Sequence, residues 1–212
     1  MGHAHRVDGD WQPFLAPDSG NIDDFATDAI VLLLQSGGLE QISMSAVARF
    51  ESVTPSALHH RHGGRGPFLE AVVGRFSARW ISWVTGAGFG GELPVRLPET
   101  ANEVEGVRAW SMIRALAEGE LRAGRDGCAD FVREARVHER DHVRRWLRSL
   151  REGQTPSDDQ MQVVMLLADG IRESVADPEG RLGLAQGRKL LTETIGQLLD
   201  VRFAEPSSWL DG

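Results

Sequence analysis

Apolar side chains at Phe25, Ala26, Ala29, Ile30 and Leu33 fall on one face of a helical period. Asn21 and Asp24 supply a cap and a first-turn acid, and Gly37 and Gly38 stop the run, so a helix is predicted there. A second short helix fits Ser43 to Phe50. Beyond Glu51 and Ser52, Thr54 and Pro55 start a third, because proline at the first helical position gives up no hydrogen bond. It runs to His62, where Gly63, Gly64 and Gly66 break it. Phe68, Leu69, Val72, Val73, Phe76, Trp80, Ile81 and Val84 then mark the buried stripe of a long fourth helix.

Gly86, Gly88, Gly90, Gly91, Pro94 and Pro98 argue against a helix across residues 85 to 102, which read as a joint. Helical patterns resume at about 104 to 122, 128 to 152, 157 to 176 and 183 to 203, separated by Gly124, Gly127, Gly153, Pro156, Pro178 and Gly180. No run alternates as a strand, and no period repeats. The expected fold is all-α: residues 1–20 a flexible tail, 21–66 a three-helix helix-turn-helix domain, and 67–205 a larger helical bundle.

The two short helices with a tight turn have the spacing of a helix-turn-helix. Around them stand Val47, Ala48, Ser52, Val53, Thr54, Leu58, His59, His60, Gly63, Arg65, Phe68, Leu69 and Val72. This text resembles the N-terminal domain of the TetR family of transcriptional regulators from Asn21 to about Val84. Leu166, Leu167, Ala168, Asp169, Gly170 and Ile171 look like that family's penultimate helix. The resemblance implies a TetR-like homodimer whose N-terminal domains read two half-sites of double-stranded operator DNA in successive major grooves. It also implies a body that dimerises and holds a small-molecule effector, most often releasing a repressor, with no cofactor. The expected DNA contacts are Ser43, Thr54, Ser56, His59, His60 and Arg65. Ser52, Pro55, His59 and His62 depart from the family's glycine, lysine, tyrosine and aromatic, so few charged donors face phosphate and a shallow salt dependence is expected. Imidazoles as a class gain a proton near ~6.5, which predicts tighter binding at about pH 6 than at about pH 8.

Charge changes this picture only by region. With 23 basic and 31 acidic residues the net charge is −8, which excludes a uniformly basic coat for nucleic acid or anionic membrane. From Ser36 to Trp80, however, Arg49, Arg61, Arg65, Arg75 and Arg79 outnumber Glu40, Glu51 and Glu70. Cys128 is the only cysteine, so no intrachain disulfide or thiolate-rich zinc site forms, and a reducing compartment suits the chain. No stretch reaches the ~20 apolar residues of a membrane span, and the first residues lack a signal peptide's apolar core. A cytoplasmic protein is expected.

His138, Glu139, Arg140, Asp141 and His142 match the HExxH zinc-protease pattern. The charged pair between the histidines, and Arg145 and Arg148 downstream, are foreign to it, so neither a catalytic nor a metal site is expected. The clustered His59, His60 and His62 point in different directions on a helix, and His3 and His5 lie in the tail. Glu139 and His142 instead interrupt an apolar stripe of Cys128, Phe131, Val132, Ala135, Val143, Trp146 and Leu150. They are polar anchors for an effector among Trp80, Trp83, Trp110, Met112, Phe131 and Trp146, or they are satisfied by each other or by arginines in the core. In the last two patterned segments, apolar residues occupy more than one helix face, and Gly170 and Gly187 permit close approach, which predicts a four-helix dimer interface. The competing classes are a dimeric ligand-binding or interaction protein of this fold without DNA recognition, and a metal-dependent enzyme.

Overall fold

The computed structural model describes residues 43–50, 53–86, 93, 95–150, 155–180 and 182–199. The expected tail, the helix from Asn21, the turn residue Ser52 and the stretch from Val201 to Phe203 lie outside the described residues. Among those described there are seven helices and no strand: α1 (Met44–Phe50), α2 (Pro55–His62), α3 (Arg65–Gly86), α4 (Ala101–Arg122), α5 (Gly127–Leu150), α6 (Asp158–Ala176) and α7 (Leu184–Leu199). The all-α expectation holds.

Local chemistry sets the helix ends. The Thr54 hydroxyl accepts from the Ala57 N–H at 3.1 Å and Pro55 follows at the first helical position. Gly63, at φ 76°, then takes the left-handed conformation that ends α2, its N–H donating to the His59 carbonyl. α4 begins three residues earlier than the apolar pattern suggests because Thr100 and Glu103 form a capping box. Ser157 and Gln160 do the same for α6.

Two apolar clusters fill the molecule. The first joins Val47, Ala48 and Leu58 of the short helices to Phe68, Leu69, Phe76 and Trp80 of α3 and to Trp110 and Ile113 of α4, so one core runs from the helix pair into the body. α5 lies along α3 as its most extensive neighbour. Gly74 makes room there, since a Cβ would stand 3.0 Å from the Phe131 ring. The second cluster gathers Trp146 and Leu147 of α5, Met161, Val164 and Ile171 of α6, and Leu191 and Ile195 of α7. Val95 and Leu97, within the predicted joint, are buried in it, so this part of the connection is anchored to the body. Of the two glycines expected to let helices approach, Gly187 does so, with Ile171 and Val175 methyls 3.1 Å from a Cβ built there. Gly170 faces open space in the chain by itself.

Candidate functional site

In the helix pair Val47, Ala48 and Leu58 are buried in the core, whereas Ser43, Thr54, Ser56, His59, His60 and Arg61 are exposed. Ser43 caps α1 by accepting the Ala46 N–H at 3.1 Å. Two of the expected contacts, Ser43 and Thr54, therefore fix the helices they start, and their hydroxyl protons remain available to an acceptor. His62, half-buried, packs edge-on against Phe68, with ring centroids 5.1 Å apart.

Arg65, two residues after the cap Gly63, opens α3, and its guanidinium is engaged. Nη1 donates to Glu120 Oε1 of α4 at 2.8 Å, while Arg125, from the turn after α4, holds Oε2. Hydrogen bonds from Arg125 and then Arg65 outweigh burial and hold the Glu120 carboxyl down to about 2. Glu120 thus ties the start of α3 to the end of α4. Residues 55 positions apart carry no spacing signal, and the sequence reading missed the pair.

In the body, Trp80 and Trp110 stack with centroids 4.8 Å apart and planes within 9°, and Trp83 tilts against Trp80 at 5.1 Å. Arg172 of α6 lies 5.3 Å over Trp80 and 5.7 Å over Trp83. Its Nη1 closes on Glu139, and its Nε donates to the Arg96 carbonyl at 2.8 Å. Arg136 donates to the other oxygen of Glu139 at 3.0 Å and grips Asp169 with two nitrogens at 2.9 and 2.6 Å. Burial pushes the Glu139 carboxyl up, but the charges of Arg172 and Arg136 bring it below its ordinary range. Another buried carboxylate, Glu103, accepts from Trp83 Nε1 at 3.0 Å and from Arg96 at 2.6 Å.

Sequence left two arrangements open for Glu139, and the structure gives it arginine partners. Of the expected effector residues, Trp80, Trp83 and Trp110 come together and Met112 packs against the same cluster, whereas Trp146 belongs to the other cluster. Phe131 is 37% exposed over Gly74. His142 is buried one turn beyond Glu139; burial, then Arg145, lowers its pKa against the pull of Glu139. His138 is exposed near Glu134, while Glu139, between the two histidines of the HExxH pattern, is held by Arg172 and Arg136. An open groove of about 360 Å³ lies elsewhere, between Ser111, Arg114, Glu118 and Leu121 of α4, Ala129 and Val132 of α5, and Glu173 of α6. Asp169 and Arg172 were not singled out as site residues from sequence: a charged pair three apart on a helix reads there as solvated surface.

Comparison with protein-family models, with curated proteins and with solved structures finds no match for this chain.

Proposed function

We propose that the chain is a TetR-like, DNA-binding transcription regulator acting as a homodimer, a repressor released by a small-molecule effector. The observation that carries this reading is the α1–turn–α2 unit. Its capped second helix offers Thr54, Ser56, His59 and His60 on an exposed face while Leu58 anchors it to the body. A helix so placed suits the major groove, where hydroxyls and imidazoles meet phosphates and base edges. Pairing two such units needs a second copy. Val163, Leu166 and Leu190 are exposed apolar residues on α6 and α7, and Gly170 beside them faces open space, which supports dimerisation through the last two helices. The groove between α4, α5 and α6 is of a size for a small effector. Release then follows from an effector favouring a body conformation that changes the spacing of the two reading helices.

Anisotropy with duplex from upstream of the chain's own gene, at two salt concentrations, tests the reading. Saturable binding that weakens with salt is the expected result. The engagement of Arg65 by Glu120 favours a second reading, a dimeric ligand-binding protein of this fold without DNA recognition, and anisotropy that stays flat at low salt would select it.

A further inference from the structure

Glu120 is 6% exposed, yet its two partners are half open to solvent, Arg65 at 46% and Arg125 at 49%. Each carboxylate oxygen accepts from one guanidinium: Oε1 from Arg65 Nη1 and Oε2 from Arg125 Nε. Each guanidinium carries five N–H donors in a planar fork, so each retains donors for a second anion. Two cations share the Glu120 anion, and Glu70 supplies a second carboxylate in the same locality, so the spare donors rather than a net charge are what the pair offers. The carboxylate of Glu70, the nearby acid on the next turn of α3, lies against Gly127.

Position matters as much as charge. Arg65 opens α3 two residues after the left-handed cap Gly63, at the foot of α2, whereas Arg125 belongs to the turn between α4 and α5. Glu120, itself buried in α4, holds the two side by side across that distance in sequence. A pair of guanidiniums in fixed register matches the oxygens of a phosphate group, which guanidinium binds through parallel N–H donors.

We propose that Arg65 and Arg125, mounted on Glu120, form a phosphate clamp. In the proposed function, on which this inference rests, the phosphate is supplied by the backbone of the duplex read by α2. The turn between α4 and α5 thereby touches nucleic acid, and a direct contact joins the DNA to the body. Glu120 both positions the two cations and competes with the phosphate for them.

The full-length chain is assayed in two ways: thermal unfolding with inorganic pyrophosphate against chloride at equal ionic strength, and duplex anisotropy over a salt series. Pyrophosphate is expected to raise the melting temperature of the wild type and not of Arg125→Gln. In the salt series Arg125→Gln is expected to lower the slope of log K against log salt by about one, with Arg125→Lys restoring most of it. Glu120→Gln, which keeps both cations, is expected to bind duplex more tightly than wild type. Duplex binding whose slope is unchanged in Arg125→Gln overturns the clamp and leaves the DNA reading standing. Stabilisation by pyrophosphate with no duplex binding overturns the DNA reading and keeps the clamp as a site for free phosphate. Neither effect in the wild type overturns both.

Discussion

The Arg172 guanidinium, 2% exposed, closes on the Glu139 carboxylate, 1% exposed, and so joins α6 to α5 beneath the Trp80 ring. Neither charge reaches water, and Arg136 is the second cation on Glu139. Removing Arg172 leaves the buried carboxylate with Arg136 alone, so Arg172→Met is expected to cost about 3 kcal/mol in urea unfolding, the low end for breaking a buried pair. The double change with Glu139→Leu replaces the pair with apolar volume and is expected to recover much of that loss. A double variant no more stable than the single one would mean that the pair is not an isolated unit within its network with Arg136 and Asp169.

How much of this was legible depends on distance along the chain. The α2 helix was readable because Thr54, Pro55 and Gly63 each act within a residue or two, and the structure uses all three as expected. The α3 stripe was readable because a 3.6-residue period is local. Glu139 stood out as a charge within an apolar stripe, but its partners did not, since Arg172 is 33 residues away and lies between Ile171 and Glu173 like any surface residue. Arg65 was read as free to meet phosphate because Glu120 lies on a different helix. The capping box at Thr100 and Glu103 was within reach of a sequence rule, but the prolines and glycines before it drew the helix start to about 104.

Acid should loosen the tie between α3 and α4. The folded carboxyl of Glu120 is held down to about 2, below its unfolded value, so its stabilisation is complete above the unfolded pKa and fades as pH falls toward the folded one. With half-exposed arginines screening the pair, the contribution is roughly 2 kcal/mol. Urea midpoints of wild type and Glu120→Gln should therefore differ near neutrality and converge between about pH 4 and pH 2. A constant gap across that range would assign the stability to packing.

Cys128 should resist alkylation. Burial, with help from the charges of Glu120 and Glu70, pushes its thiol up to about 11, and the side chain is buried in the first cluster. Since the thiolate is the nucleophile, labelling by iodoacetamide at about pH 8 should run at least a hundredfold below that of a free cysteine. Rapid labelling of the folded chain would show that α5 opens readily at its start.

On α2, the cap and the reading face separate by experiment. Thr54→Ala removes the acceptor for the Ala57 N–H and should cost about 1 kcal/mol of stability as well as duplex affinity. The double change His59→Ala and His60→Ala touches only exposed side chains, so the melting temperature should move little while duplex affinity falls several-fold. Affinity unchanged in both would remove α2 from the interface.

The two glycines of the last helices give opposite expectations. At Gly187 a Cβ comes within 3.1 Å of Ile171 and Val175, so Gly187→Val forces α7 away from α6 and should cost about 1 to 3 kcal/mol. At Gly170 nothing stands within 4 Å, and alanine there removes a helix-interior glycine, which in a single chain should stabilise by about 0.5 to 1 kcal/mol. If Val163, Leu166 and Leu190 meet a second copy, a larger side chain beside them cannot be neutral. Gly170→Leu should then leave the monomer folded by circular dichroism and shift sedimentation at micromolar concentration from dimer toward monomer, as should Leu166→Glu, because Leu166 is 59% exposed in the chain alone. A dimer unaffected by both changes would place the interface elsewhere.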